Sequence, residues 1–409
     1  MITKQCAILI GGMGTRLGAL TQETPKPLLP VAGEPFLEIL VGEASRRGFN
    51  DILLLAGYKA AVVEEFAAAL GSKIPADFRV RVSIEAAPLG TGGAVAHAAD
   101  SLEDQFLLLN GDTWFDFNWL DLFSVANGGC AVAARFVPDA DRHETLAISE
   151  TGAVTRIVPR ATNSGSGLVN GGVYVLRKAE LNGFGESFSI EADLLPRLTA
   201  RSQLRAREYD GYFLDIGVPE TFKTAQSEIP AQRRRPAIFF DRDGVLNHDD
   251  NYVGSVEKLR WISGAKAAVR LANDCGYYVF VVTNQAGVAR GYYGEDAVRS
   301  LHSSMADELR GVGAYVDDWR YCPYHPQGSV ERYRRSHPWR KPEPGMILDL
   351  MQHWPVDPAG SMLIGDKESD CAAAEAAGIE PVLFKGGDLY EFVADLIAAK
   401  STDGRGIPE

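Results

Sequence analysis

A chain of 409 residues is too long for one ordinary hydrophobic core, so two domains are expected. Hydrophobic content of 46% beside 23% charged residues is that of a soluble globular protein, and no apolar run reaches the length of a membrane span. The net charge of −13 speaks against a nucleic-acid surface, so an anionic substrate would need local pockets of Lys, Arg or metal.

The N-terminus, MITKQCAILIGG, carries a short apolar run that ends in glycines rather than in a signal-peptide cleavage pattern, and it reads as a buried first strand. Strand-length apolar runs follow in order (DILLLAG, FLLLNGD, GVYVL, AIFFDRDG, YYVFVVTNQ and SMLIGD), separated by helical patterns. This alternation predicts an α/β fold with mostly parallel sheets. Midway, AQSEIPAQRRRPA mixes small, polar and basic residues with two prolines before a new strand-like run. It sets the expected division: a first domain over 1–225, a linker over 226–236 in which Arg233, Arg234 and Arg235 are solvated, and a second domain over 237–400. Cys6, Cys130, Cys275, Cys322 and Cys371 are scattered and odd in number, which points to reduced thiols and a cytoplasmic setting. Neither a membrane nor a nucleic-acid partner is expected; oligomeric state stays open, a homo-oligomer being compatible.

After the first strand comes GGMGTRLGALTQETPKPLLPVAG. Glycines at 11, 12 and 14 let the backbone approach an anion and turn its N–H groups toward phosphate oxygens. Arg16 adds charge, and Lys26 does so from between Pro25 and Pro27. The spacing fits neither the Walker nor the Rossmann glycine pattern. The whole string resembles the signature of the sugar-1-phosphate nucleotidyltransferases, GGxGTRLxxLTxxxPKPLxPVxG. The resemblance runs across roughly the first 225 residues, through EAAPLGTGGA (85–94), LLLNGDTWF (107–115), NGGVYVL (170–176) and GYFLDIGVPETF (211–222). It implies a Rossmann-like, GT-A-like nucleotidyltransferase domain. There the oxygen of a sugar 1-phosphate attacks the α-phosphorus of a nucleoside triphosphate and pyrophosphate leaves. Two anions must meet in line, so their repulsion has to be neutralised.

That resemblance implies roles for particular residues. Gly11, Gly12, Gly14, Thr15 and Gly90 would hold the nucleotide, with Asp112 and Asp215 holding Mg²⁺ against it. Arg16 would stabilise pyrophosphate, Lys26 would bridge donor and acceptor phosphates, and Asn170 and Gly171 would meet the sugar. Taken singly, Asp112 reads equally well as a turn residue and Asp215 as a helix N-cap. Glu85 falls where relatives read the base edge. A carboxylate accepts from guanine N1–H and N2–H₂ together, whereas uracil or thymine offers one imine donor, and this favours GTP. GEPFLEIL, PLGTGG and DIGVPE look most like guanylyltransferases acting on heptose or mannose 1-phosphate. Where many relatives carry a Glu-Lys pair on the sugar side, this chain reads IVPR (157–160), with Arg160 in the lysine's place and no carboxylate beside it.

In the second half, AIFFDRDGVLN ends an apolar strand in Asp-x-Asp-Gly. Two carboxylates at i and i+2 leave the strand on one side, within reach of one ion or phosphate; the bland alternative is an acidic turn. With VFVVTNQAG, RKPEPGM and LIGDKESD downstream, the pattern resembles the haloacid-dehalogenase (HAD) phosphatases. The resemblance implies that Asp241 attacks phosphorus and that Asp243 protonates the leaving alkoxide and then activates water. Asp241, Asp366 and the backbone carbonyl of Asp243 would coordinate Mg²⁺, with Asp370 in support, while Thr283 and Lys341 bind phosphoryl oxygens. DRDGVLN, NYV, VVTNQAGVARGYY and CPYHPQGS look like the D-glycero-D-manno-heptose 1,7-bisphosphate 7-phosphatases, with histidinol-phosphate phosphatases as the nearest rival. The short Asp241–Thr283 interval leaves no room for a large cap, so loops carrying Asn284, Arg290 and Arg340 would choose the substrate.

Joined, the two resemblances imply successive steps from heptose 1,7-bisphosphate to a GDP-heptose for surface polysaccharide. The alternatives are another sugar nucleotidyltransferase fused to a different small-molecule phosphatase, and a non-catalytic regulatory module. One stretch stands apart, YCPYHPQGSVERYRRSHPWRKPEPGM (321–346). Related phosphatases often carry a zinc loop here. This chain keeps Cys322 but has Tyr324, His337 and Trp339 at the other ligand positions, and four-ligand zinc is not expected. Packing by Tyr324 and Trp339 would replace it.

Overall fold

The computed structural model describes residues 2–12, 14–71, 78–140, 144–159 and 165–402, and the expectation for Arg160 lies outside them. Two compact units make up the chain, Met1–Ala231 and Gln232–Glu409.

The strands of the first unit are β1 (Gln5–Leu9), β2 (Pro30–Val31), β3 (Glu34–Pro35), β4 (Asp51–Ala56), β5 (Arg79–Ile84), β6 (Gln105–Asn110), β7 (Thr113–Phe115), β8 (Cys130–Val137), β9 (Thr145–Ile148), β10 (Val154–Val158), β11 (Gly167–Arg177), β12 (Leu204–Glu208) and β13 (Phe213–Asp215). The main sheet runs β10-β9-β11-β6-β1-β4-β5, with β8 beside β11 and β12 beside β8. It is mixed rather than mostly parallel, because β11 lies antiparallel to both β6 and β8. Its centre is parallel, and β1 and β4 are covered on both faces, which is why CAIL and DILLLA are continuous apolar runs. The parallel registers Leu9↔Leu55, Leu9↔Asn110 and Ala56↔Ile84 bring the C-terminal ends of β1, β4, β5 and β6 to one edge. Ligands in open α/β sheets bind at such an edge. Separately, β7 pairs antiparallel with β13, setting Thr113 opposite Asp215.

In the second unit, β14 (Ala237–Phe240), β15 (Tyr278–Asn284), β16 (Asp318–Cys322), β17 (Met362–Gly365) and β18 (Glu380–Leu383) form a fully parallel sheet ordered β16-β15-β14-β17-β18. Ile238 and Phe240 pack into one core layer and Ala237 and Phe239 into the other, as the two-residue strand period requires. The helix Ala265–Asp274 buries Ala265, Ala268, Val269 and Ala272, an i, i+3, i+4, i+7 stripe against the first of these layers. Because β15 and β17 flank β14 on opposite sides, the strand order reverses at β14 and a crevice opens beyond its C-terminal end.

The expected linker is corrected in form. Residues up to Arg233 continue the helix Pro219–Arg233, Pro230 included. Arg235 is buried rather than solvated: its backbone pairs with Val356 and its guanidinium lies 5.2 Å from the Tyr278 ring centroid. The aromatic ring gives the cation a partner that composition alone does not reveal.

Candidate active sites

The sheet edge of the first unit holds a cavity of about 520 Å³, lined by Gly11, Gly12, Lys26, Glu85, Gly90, Asn110 and Asp112 among others. Lys26 is buried on a short 3₁₀ turn, and its ammonium reaches Asp112 Oδ2 at 2.5 Å and Asp215 Oδ1 at 3.6 Å. The β7–β13 pairing makes the two carboxylates neighbours, and Ile216 N donates to Asp112 O at 2.9 Å. Gly217 N holds Asp215 Oδ1 at 2.7 Å. Burial, and then the charge of Asp112, push the Asp215 carboxyl above its ordinary range, while Lys26 pulls it back. Two converging carboxylates balanced by one ammonium offer a hard, oxygen-only donor set that fits a magnesium ion.

Glu85 forms the wall at the C-terminal end of β5. Leu89 N donates to its Oε2 at 3.2 Å, and a Cβ placed on Gly57 would stand 2.4 Å from its Oε1. Gly57 is therefore the cavity glycine that Glu85 requires, and sequence reading passed over it. Gly12 is open, with nothing within 4 Å of a Cβ placed there. Gly14 does not line the cavity; it adopts a left-handed φ of 62° that starts the turn carrying Thr15 and Arg16, both exposed. Gly90 does line it. Its φ of 76° and the Phe188 carbonyl, 2.6 Å from a Cβ built there, show that packing also demands a glycine.

On the sugar side the expectation shifts. Asn170 donates to Tyr174 OH at 2.8 Å and accepts from Gly172 N at 3.0 Å, so its amide is engaged within β11. Gly171 makes room for the Phe115 ring, 2.6 Å from a Cβ placed there. Neither lines the cavity; Glu191 does, held by Thr91 Oγ1 at 2.8 Å and Ser189 Oγ at 2.9 Å. Asn110 Oδ1 is buried without a hydrogen-bond partner on the same wall. A carboxylate and an amide on one cavity wall form a donor and acceptor set able to bind hydroxyl groups.

The crevice of the second unit is a cavity of about 380 Å³ bordered by Asp241, Asp243, Thr283, Asn284, Arg340 and Lys341 among others. Lys341 Nζ is buried between Asp370 Oδ1 at 2.7 Å and Asp241 Oδ1 at 2.9 Å, and donates to Val282 O at 2.8 Å. Burial outweighs the lysine and pushes the Asp241 carboxyl up to about 7, and the two carboxylates push the Lys341 ammonium above its usual value despite burial. Carboxylate oxygens of Asp241, Asp366 and Asp370 lie within 4.8 Å of one another. Asp366 Oδ1 is buried with no hydrogen-bond partner. An orphaned buried carboxylate oxygen in an acidic trio fits a magnesium ion. Asp370 lies within the trio, its Oδ1 on the Lys341 ammonium and its Oδ2 accepting from Lys367 N at 3.0 Å, and the Asp243 carboxylate stands outside it.

Asn284 turns out to be a clamp: its Nδ2 donates to Lys341 O at 3.0 Å and its Oδ1 accepts from Lys341 N at 3.1 Å. Thr283 Oγ1 accepts from Gln285 Nε2 at 2.9 Å. Burial, and further the Arg290 charge, lower the Arg340 pKa, and the charges of both arginines lower that of His325 after burial has done so. Among the described residues neither Arg290 nor Arg340 forms an ion pair with a carboxylate: Arg340 Nη1 donates to Tyr324 O at 3.3 Å, the Arg290 guanidinium lies 5.8 Å from the Tyr252 ring centroid, and Arg290 Nε is buried without a hydrogen-bond partner. In the loop that precedes Arg340, Tyr324 stacks on His337 with ring centroids 4.3 Å apart, and Arg335 lies 4.3 Å over Tyr324. Cys322 is fully buried and its thiol pKa is raised by that burial. Aromatic packing thus occupies the centre of this loop.

A family model for nucleotidyl transferases matches residues 6–232, over half of the chain, and a HAD-hydrolase-like model matches 338–397. A D-glycero-beta-D-manno-heptose-1,7-bisphosphate 7-phosphatase of Rhodopseudomonas palustris is 54% identical over 40% of this chain and 91% of its own length. A D-glycero-alpha-D-manno-heptose-1,7-bisphosphate 7-phosphatase of Burkholderia mallei is 43% identical over 36% of this chain and 78% of its own. A D-glycero-alpha-D-manno-heptose 1-phosphate guanylyltransferase of Campylobacter jejuni is 35% identical over 53% of this chain and 96% of its own. The chain is a fusion that belongs to the nucleotidyl transferase family in its first unit and to the HAD-like phosphatases in its second.

Proposed function

We propose that the second unit removes the 7-phosphate from D-glycero-D-manno-heptose 1,7-bisphosphate and that the first joins the resulting heptose 1-phosphate to GMP from GTP, releasing pyrophosphate and GDP-heptose. Similarity of each unit, over most of its relative's length, to an enzyme of one of these two steps supports the pairing. The observation that carries the phosphatase half is Arg340 on the cavity wall with the charge of Arg290 near it and, among the described residues, no ion-paired carboxylate on either. Two cations held close without a counter-charge await an anion, and a bisphosphate brings a second phosphate.

At that site Asp241 Oδ attacks phosphorus, the phosphorus–oxygen bond to the sugar breaks, and Asp243 gives the leaving oxygen its proton. Water then attacks the aspartyl-phosphate, yields its proton to Asp243, and releases inorganic phosphate with Asp241 regenerated. Lys341 and Thr283 hold the phosphoryl oxygens. Mg²⁺ on Asp241, Asp366 and the Asp243 carbonyl, together with Asp370, would neutralise phosphate charge. In the first unit Lys26 carries the charge between donor and acceptor phosphates, and Arg16 meets the departing pyrophosphate. Glu85 accepts from the guanine edge and Glu191 from sugar hydroxyls; Asp112 and Asp215 would hold Mg²⁺.

Among the described residues no helix is long and apolar enough to cross a membrane. Free thiols at all five cysteines favour a cytoplasmic setting, and the GDP-heptose product would serve surface polysaccharide synthesis. The test is to give purified protein Mg²⁺, GTP and the bisphosphate and follow phosphate, pyrophosphate and GDP-heptose. Preference for mannose 1-phosphate, or for histidinol phosphate over the bisphosphate, would replace the corresponding half of the reading.

A further inference from the structure

Arg242, between the two aspartates of the DRDG motif, is fully buried. Its side chain turns back onto the next residue: Nη2 donates to Asp243 Oδ1 at 2.9 Å and Oδ2 at 2.8 Å, and Nε donates to Oδ1 at 3.1 Å. The guanidinium is itself fixed from two other segments. Nη2 donates to Val253 O at 2.7 Å, and Nη1 lies 3.3 Å from His302 Nε2 on the helix Glu295–Gly311. His302 stacks on Trp319 with centroids 4.6 Å apart, and burial followed by the Arg242 charge holds its pKa down at about 3, so the ring is neutral; facing a guanidinium that can only donate, its Nε2 is the acceptor. The Asp243 carboxylate also accepts from Asn247 Nδ2 at 2.9 Å and Gln285 Nε2 at 2.8 Å, and Gln285 is oriented by Tyr293 OH at 2.8 Å.

We propose that Arg242 is the positioning residue for proton transfer by Asp243. A buried arginine normally joins distant acids, but the one carboxylate it grips here is its neighbour's. A planar fork anchored at its far side fixes both the place and the plane of a carboxylate. Proton transfer to a leaving oxygen is efficient only from a group held in hydrogen-bond reach. The inference rests on the phosphatase reading of this unit but not on which sugar it acts on.

The experiment measures kcat/KM of the full chain with Mg²⁺ on phosphate monoesters graded by leaving-group acidity, from glycerol phosphate to p-nitrophenyl phosphate. An alkoxide needs the proton and a nitrophenolate does not. Arg242→Met is expected to lose about 10²-fold on glycerol phosphate and under about fivefold on p-nitrophenyl phosphate. Arg242→Lys, which keeps the charge, and His302→Phe, which keeps the stack but removes the acceptor, should show the same skew at smaller size. They carry the test if Arg242→Met does not fold. An equal loss on every ester would make Arg242 structural, and a gain on glycerol phosphate would make the fork a brake; either overturns the proposal. A wild-type enzyme that hydrolyses these esters but not the heptose bisphosphate would sink the substrate assignment alone.

Discussion

Lys26 Nζ sits 2.5 Å from Asp112 Oδ2, and Asp215 completes the contact at 3.6 Å, so one ammonium holds two carboxylates that adjacent strands bring together. In the second unit Lys341 does the same between Asp241 and Asp370. Each half of this protein gathers acids that cannot stand together unbalanced, and each sets a buried lysine among them.

Replacing Lys26 by Met removes the charge with little change in volume. Nucleotidyl transfer is expected to fall by about 10²–10³. Phosphate release by the second unit on the same protein should be unchanged. Both rates come from one sample assayed with GTP and sugar phosphates; unimpaired transfer would falsify the role given to Lys26.

Lys341→Met strands Asp241 and Asp370 in a buried pocket. Removing one partner of such a pair costs about 3–5 kcal/mol. Denaturant unfolding of the second unit should show a loss of that order together with loss of phosphatase activity. A cost below about 1 kcal/mol would mean that the acids relax by taking up a proton instead.

Acid sensitivity should be traceable to His302. Burial depresses its folded pKa to about 3, whereas the unfolded chain keeps the ordinary imidazole value. Between about pH 6.5 and 3 the unfolded state therefore binds a proton that the fold refuses, and stability falls as pH falls, by about 1.4 kcal/mol per pH unit. Above pH 6.5 the effect vanishes. Unfolding of the second unit followed against pH should be visibly shallower in His302→Phe; identical curves would remove the histidine from the account.

Gly12 and Gly57 separate the two uses of glycine around the nucleotide cavity. Gly57→Ala collides with Glu85 and should raise the KM for GTP about tenfold, equivalent to about 1.4 kcal/mol. Gly12→Ala meets no protein atom, so its melting should stay within about 0.5 kcal/mol of wild type while GTP binding weakens. Calorimetry on the free and GTP-bound proteins distinguishes the two. A large stability loss at Gly12 would contradict the open space seen there.

The sequence by itself determined the two α/β units, the strand runs that carry them and the acidic and basic residues at their strand ends. Apolar periodicity and Gly-Asp or Asp-x-Asp endings are local, and they survive without knowledge of neighbours. Only tertiary structure decided which carboxylates meet. Asp112 and Asp215 are joined by β7–β13 pairing, and Asp370 joins Asp241 because the helix Glu368–Ala377 begins just beyond β17. It also set Glu191 on the cavity wall, turned Asn284 into a clamp on Lys341, and buried Arg235 against Tyr278. The Cys322 loop shows both limits: Tyr324, His337 and Trp339 were legible residue by residue, while the stack of Tyr324 on His337 appeared only once the chain had folded back on itself. Spacing along a chain fixes what lies within a turn or a strand; contacts over tens of residues follow from strand order and packing, which no local pattern encodes.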